Sequence, residues 1–245
     1  MGFKVKAIRN YLRCLPISKV LACLLILVSG AVLADDLANE EIRVGDFSNG
    51  DLSGWEEKSF KGHSQYDFVA AKSLGEKNTE PQQSLAGKVL RARTQGQASG
   101  LFKEVVIDLT TTPYLNWSWQ VQNLFNGNDE RSKDGDDYPA RIYVVVSGGL
   151  FFWKTRAINY VWSSNQPVGS EWPNAYTENA RMIAVRAGEK QLGHWVHERR
   201  NVREDLQRLF GEDFTQIDAV AVMMDGDNTG QSSMAYYGDI FFSKN

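Results

Sequence analysis

The chain has 245 residues, and its 27 Lys and Arg against 30 Asp and Glu give a net charge of −3 at pH 7. An acidic balance produces no long-range attraction to nucleic acid or to anionic lipid, so we expect no nucleic-acid partner. The only two cysteines are Cys14 and Cys23. Disulfides and thiolate chemistry are therefore excluded from the rest of the chain.

The N-terminal segment has the pattern of a secretory signal peptide. Residues 1–19 carry five basic residues and no acid, residues 20–33 are almost entirely apolar, and Ala34 ends a small-residue cleavage motif. The alternatives are an uncleaved anchor and a lipoprotein modified at Cys23, but the apolar run is shorter than the roughly 20 residues of a membrane span and follows the cysteine. We predict cleavage after Ala34, a flexible leader over residues 35–43, and a periplasmic or secreted protein without a transmembrane segment.

Cleavage would remove five basic residues and no acid. The mature chain would then have 22 basic and 30 acidic residues, a net charge of −8. A surface this acidic suits neutral ligands or bound cations better than anionic partners.

Downstream, short β-type runs alternate with turns rich in Gly, Asn and Asp. The turn cluster Val44–Trp55 comes first. The predicted strands then lie in Lys58–Lys72, Lys88–Arg93, Leu101–Leu109, Tyr114–Gln122, Tyr138–Val146, Arg156–Trp162, Arg181–Arg186, Gly193–Glu198, Ile217–Met224 and Met234–Phe242. Tyr138–Val146 and Ile217–Met224 are apolar on both faces, which predicts central strands.

One helix is predicted near 202–210, because Asn201 is a good N-cap, an apolar stripe follows it, and Gly211 ends the pattern. Asn165–Thr177 reads as a long loop. No linker or repeat divides the chain. The sequence therefore predicts an all-β fold, a two-sheet antiparallel β-sandwich of jelly-roll type, as a single domain over residues 44–245.

Several motifs between Pro113 and Phe242 occur as a set. They are Trp117–Trp119, Asp129–Arg141, Asn159–Trp162, Asn179–Val185, Glu198–Arg200, Met224–Gly230 and Tyr237–Ile240. The set resembles a bacterial exported family, domain of unknown function 3047. The resemblance implies one compact domain and an envelope location and brings no established activity. The two ends, Asp46–Trp55 and Ala235–Phe242, also resemble those of galactose-binding-like and carbohydrate-binding jelly rolls.

Two acidic turns are candidates for a metal site. Asp134, Asp136 and Asp137 lie in the first turn, and Asp225 and Asp227 lie in the second. Calcium takes roughly six to eight oxygen ligands, which carboxylates in turns can supply. The alternative is that these acids accept hydrogen bonds from the turn backbone, because neither stretch matches the EF-hand loop. A structural calcium ion is thus the one cofactor that the sequence suggests.

Aromatic side chains beside planar polar groups are typical of sites for sugars, whose C–H faces stack on the rings. We predict such a site, for an oligosaccharide or another small molecule, from one set of residues: Trp162, Trp172, Tyr176, Asn159, Arg141 and Arg181. Arg141 has an alternative role, a salt bridge with Asp136 or Asp137, because a charge in a buried strand needs a partner.

Two other functions remain open at this point. One is a hydrolase or lyase acting on envelope polysaccharide with acids from Asp129–Asp137 and Asp225–Asp227, although no catalytic residue can be assigned and the usual nucleophile and phosphate motifs are absent. The other is a non-catalytic scaffold in an envelope complex that makes contact through the apolar segment Leu150–Trp153.

Overall fold

The computed structural model describes residues 41–74, 87–150 and 152–245. The predicted signal peptide and most of the predicted leader lie outside the described residues. These residues form thirteen strands and one α-helix: β1 Glu41–Gly45, β2 Trp55–Lys61, β3 Gln65–Ala70, β4 Lys88–Gln95, β5 Ala98–Asp108, β6 Tyr114–Val121, β7 Ala140–Val146, β8 Arg156–Ser163, β9 Glu171–Asn174, β10 Thr177–Ala187, β11 Val196–Asn201, α1 Val202–Phe210, β12 Gln216–Asp225 and β13 Ser232–Ser243.

The strands form two sheets. Sheet A has the order β11-β6-β13-β4-β3, with β1 also paired to β13, and sheet B has the order β2-β5-β12-β7-β8-β10-β9. The predicted all-β, two-sheet sandwich with one short helix is therefore confirmed. As predicted, β7 and β12 are central in their sheet.

One pair departs from the antiparallel pattern, because β10 runs parallel to β8. The segment predicted as a loop contains β9, which pairs antiparallel with β10 at the edge of sheet B. The chain thus crosses from β8 to the sheet edge and returns through β10 between the two. Pro173 lies within β9, and an edge strand is where a sheet tolerates proline.

The core lies between the inner faces of the two sheets. Trp117 and Trp119 project from β6, and Tyr160 and Trp162 project from β8. The ring centroids are 5.5 Å apart for Trp117 and Trp119, 5.4 Å for Trp117 and Tyr160, and 5.9 Å for Trp119 and Trp162. These tilted and edge-on contacts are the favourable arrangements for aromatic pairs, so the tryptophans hold the sheets together.

The first described strand pairs with the last. In β1, Ile42 lies opposite Phe242 of β13, and Val44 is buried in the core. Residues 41–43 therefore belong to sheet A, and the predicted leader is three residues too long at its C-terminal end. Alternation in a strand this short gives little signal in the sequence.

Helix α1 forms as predicted. The Asn201 side chain accepts a hydrogen bond from the backbone N–H of Glu204 at 3.2 Å, and Gly211 ends the helix in a left-handed conformation. Val202 and Leu206 are buried in the core. Within the described ranges, no helix has the length and apolar character needed to cross a membrane.

Candidate functional site on the outer face of sheet B

The face of sheet B that points away from sheet A is called the outer face here. Strand register aligns one residue from each of the seven strands into a row across it: Glu56, Phe102, Ala221, Tyr143, Asn159, Met182 and Trp172. Their chain neighbours Leu101, Val222 and Ile142 belong to the core. Since side chains alternate along a strand, the row faces away from the core.

Three aromatic rings form what we call the aromatic strip: Phe60, Phe102 and Tyr143. Phe102 and Tyr143 belong to the row, and Phe60 lies four residues after Glu56 on β2. The centroids of Phe60 and Phe102 are 6.4 Å apart, and those of Phe102 and Tyr143 are 6.2 Å apart. Ala221 lies between Phe102 and Tyr143 in the register, and its small side chain allows the two rings to approach across β12. Phe60 is 44% exposed, and the other two rings are partly exposed.

Small side chains lie along one flank of the strip. Ala219, Val145, Ala157 and Ala180 form the neighbouring row, and each of them is partly exposed. Ala219 and Val145 lie on β12 and β7 beside Tyr143, and Ala157 and Ala180 continue the row on β8 and β10. Because no side chain of this row is bulky, an extended ligand could lie along it next to Tyr143.

An unpaired amide lies at the inner end of the aromatic strip. Asn159 is the register partner of Tyr143 and is only 1% exposed. Among the described residues, neither its side-chain oxygen nor its side-chain nitrogen has a hydrogen-bond partner. A buried polar group left in this state costs about 1–3 kcal/mol. A ligand could use this donor and acceptor only after the side chains that cover the amide move aside.

Arg141 is buried next to the strip in a salt bridge with Asp225. Its guanidinium carbon lies 5.1 Å from the ring centroid of Tyr138 and 5.3 Å from that of Tyr143. The sequence predicts a salt bridge of Arg141 with Asp136 or Asp137, and the structure shows one with Asp225. Asp225 follows the register partner of Arg141, Met223, by two residues. The adjacent strand therefore places Asp225 on the same face, a relation that sequence distance does not reveal.

The acid-rich loop 126–137 is held by hydrogen bonds to its surroundings. Glu130 is fully buried and accepts hydrogen bonds from the Ser163 hydroxyl and, at 2.6 Å, from the backbone N–H of Ser164. Burial raises the pKa of the Glu130 carboxyl. A Cβ on Gly135 would lie 2.4 Å from the carbonyl oxygen of Asp129, so the loop closes only with glycine there. The loop therefore has a structural role, as a fixed segment that covers one end of the outer face.

Three of the five predicted metal ligands come together. Carboxylate oxygens of Asp137, Asp225 and Asp227 lie within 4.8 Å of one another, so this buried cluster could hold a metal ion. Asp137 already accepts hydrogen bonds from the backbone N–H groups of Asn228 at 3.2 Å and Thr229 at 2.7 Å. Asp225 accepts from the backbone N–H of Tyr138 at 3.1 Å besides its pairing with the guanidinium.

The other two predicted ligands point elsewhere. Asp134 is exposed and lines an open depression with Asp129. Asp136 accepts hydrogen bonds from the side-chain amide of Asn174 at 3.0 and 3.1 Å. The two acidic turns thus meet, as the enzyme hypothesis requires. The existing partners of Asp137 and Asp225 nevertheless favour a structural role for the cluster over acid–base catalysis.

Two residues of the predicted ligand set lie on the inner side of sheet B, away from the aromatic strip. Trp162 is fully buried in the core, where its indole N–H donates to the carbonyl of Gly188 at 3.3 Å. Arg181 is the register partner of Ile158, which is a core residue. Both therefore point toward the inner side, because they lie an odd number of positions from the outer-face residues of their strands.

The remaining two predicted residues lie at the loop-covered end of the outer face. Trp172 is 3% exposed and forms a small apolar cluster with Tyr138, Val161, Met182 and Ala184. The side chain of Tyr176 is 41% exposed at the turn between β9 and β10, and its hydroxyl donates to the carbonyl of Lys133 at 3.1 Å. Trp172 is thus a packing residue, and Tyr176 is the exposed one of the two.

The aromatic strip was missed in the sequence. The sequence did contain a signal for it. Phe102 and Tyr143 alternate with core residues along their strands, so both aromatic side chains are expected on the face that polar residues normally occupy. The joint position of three rings from β2, β5 and β7 depends on register and could not be read from local pattern.

The model of the family DUF3047, described as a protein of unknown function, matches residues 53–241. The chain belongs to this family. The resemblance predicted from the motif set is therefore confirmed, and the matched range contains the whole aromatic strip of this DUF3047 member. No curated protein matches the chain.

Solved structures of low identity resemble the chain. TmCBM61 in complex with β-1,4-galactotriose is 13% identical, with 82% of this chain and 95% of its own covered and a TM-score of 0.39. A family 11 carbohydrate-binding module of Clostridium thermocellum is 12% identical, with 82% of this chain and 93% of its own covered and a TM-score of 0.43. The K1 cleaved adhesin domain of Lys-gingipain from Porphyromonas gingivalis is 10% identical, with 84% of this chain and 98% of its own covered and a TM-score of 0.40. Likenesses this weak carry no argument about ligands.

Replacing Trp172 tests its assignment as a packing residue. Trp172→Ala should lower the free energy of unfolding by about 3–5 kcal/mol, because it removes a buried ring. Tyr176→Ala, at the neighbouring exposed ring, should cost less than half as much. Urea unfolding followed by tryptophan fluorescence measures both. Equal and small losses for the two variants would contradict the packing role.

The raised pKa of Glu130 predicts a pH dependence. The folded protein holds the proton of this carboxyl more tightly than the unfolded chain, whose pKa is near 4.5. Glu130 therefore contributes stability that is fully present below pH 4.5 and is lost as pH rises through the raised pKa. The variant Glu130→Gln cannot titrate. The unfolding free energy of the wild type minus that of the variant should thus fall across this window, and a flat difference would refute the assignment.

Proposed function

We propose that this protein is an exported carbohydrate-binding β-sandwich that holds an oligosaccharide along the aromatic strip. The observation that carries the proposal is the alignment of Phe60, Phe102 and Tyr143 on a solvent-facing surface, with the unpaired amide of Asn159 beside the last ring. Apolar faces for stacking and a planar polar group for hydroxyls are the two components of a sugar site.

The direction of the strip favours a chain of sugar units over a single one. The rings come from three different strands and the strip runs across the sheet, so one pyranose ring could cover only part of it. The row of small side chains that contains Ala219, Ala157 and Ala180 also runs across the sheet. We therefore expect affinity to rise with oligosaccharide length until the strip is covered.

The charged residues nearest to the strip could add polar contacts at its open end. The Lys58 ammonium lies 4.9 Å from the ring centroid of Phe102, and Glu56 is exposed in the same row. The buried charges, in contrast, are already paired, since Arg141 bonds to Asp225. Ligand selection would thus depend on stacking and on neutral hydrogen bonds more than on a net charge at the site.

A second candidate, the scaffold, is favoured by one observation. Leu150 is 82% exposed and Trp153 is 55% exposed, and both lie in the connection between β7 and β8. Exposed apolar side chains a few positions apart in the chain can form a protein contact. This segment lies outside the row that carries the aromatic strip, so the two functions are compatible.

Substitutions in the strip test the carbohydrate hypothesis. Phe60→Ala should weaken oligosaccharide binding by about tenfold, roughly 1.4 kcal/mol, with little change in melting temperature because the ring is largely exposed. Val106→Ala is the matched control, since Val106 is an apolar residue of β5 that is 67% exposed and lies outside the strip. Isothermal titration with neutral oligosaccharides of increasing length measures the affinities.

Two outcomes would count against the proposal. Identical affinities of the Phe60→Ala and Val106→Ala variants would show that the strip does not contact the ligand. Release of new reducing ends during the titration would show that the protein cleaves the oligosaccharide, which would favour the hydrolase hypothesis over binding alone.

A further inference from the structure

A second depression lies at the outer side of sheet A. Its volume is about 360 Å³, which is within the range of small-molecule sites. Strands β3, β4 and β13 form its floor, and the turns before β3 and after β4 and the start of the β6–β7 loop form its rim. Among the residues that line it are His63, Gln65, Arg93, Gln97, Asn123 and Ser232. No residue of the aromatic strip lines it.

The lining of this pocket is polar but not acidic. Register places Gln65, Arg93 and Met234 side by side on three neighbouring strands. Amide and hydroxyl side chains surround them, and among the lining residues Arg93 is the permanent cation while none is a carboxylate. The chain as a whole has more acidic than basic residues. A pocket lined by an arginine and no carboxylate therefore differs in charge from the chain's overall balance.

The guanidinium of Arg93 has unused hydrogen-bonding capacity. Its Nε is buried and, within the part of the chain that the structure describes, has no partner. The nearest acid is Asp67, whose carboxylate lies 3.8 Å from one terminal nitrogen of Arg93. That carboxylate is already held by Arg91 through two hydrogen bonds. No acid therefore forms a two-bond pair with the guanidinium of Arg93. A carboxylate is the planar group that can form two parallel hydrogen bonds with a guanidinium.

The geometry points to a second binding site in this pocket, for a sugar acid. The carboxylate of the ligand pairs with Arg93, and its hydroxyls bond to the side chains of Gln65, Asn123 and Ser232. Amide and hydroxyl groups give both donors and acceptors at short range, as a polyhydroxylated ligand requires. This inference does not depend on the aromatic strip.

The test compares sugar acids with their neutral parents. The purified protein is titrated calorimetrically with glucuronate, glucose, galacturonate and galactose at constant ionic strength. At least one acid should bind ten times or more tightly than its parent, and Arg93→Gln should abolish that preference. Arg93→Lys should restore only part of it, because an ammonium cannot form two parallel bonds. Arg199→Gln, an exposed arginine of sheet A outside the pocket, should bind like the wild type.

A second variant covers the case in which Arg93→Gln does not fold. Ser232 is exposed at the rim, so Ser232→Tyr should fill the pocket and remove binding without disturbing the core. Phe60→Ala should leave binding of the sugar acid unchanged. Equal affinity for acid and parent, wild-type binding by Ser232→Tyr, or equally tight binding of acetate would each overturn the inference.

Discussion

The outer face of sheet B depends on one buried ion pair, Arg141 with Asp225. Both side chains are almost fully buried, and an isolated charge at that depth would cost several kcal/mol. The pair therefore fixes β7 against β12 at the end of β7 that follows the acid-rich loop. Two tyrosine rings lie against the guanidinium, and Asp225 also bonds the backbone of Tyr138. Removal of either charge would leave the other unpaired beneath the loop.

This constraint divides the outer face into a closed part and an open part. At the closed end, the loop 126–137 and the β9–β10 turn cover the small cluster around Trp172. Toward β2, the aromatic strip remains accessible. Asn159 lies between the two parts and keeps an unpaired amide. The division explains why an acid-rich loop and an aromatic surface, which appear unrelated in the sequence, belong to one side of the same sheet.

The fold was accessible from the sequence because alternation within a strand is a local property. The helix caps, the central positions of β7 and β12, and the two-sheet class all follow from patterns of a few residues. The site was less accessible. Asn159 and Trp162 were grouped together, although three positions in a strand place them on opposite faces, so this error could have been avoided. The pairing of Arg141 with Asp225 and the alignment of the strip require inter-strand register, which a single chain does not display.

Strand β13 follows β1, β4 and β6 in the chain by many residues, yet it pairs with all three inside sheet A. A chain made from its N-terminus cannot complete this sheet until β13 has emerged. Until then β4 and β6 keep unpaired edges toward the missing strand, and such edges are prone to wrong association. Completion of sheet A therefore relies on contacts far apart in sequence, which makes folding slow for a domain of this size.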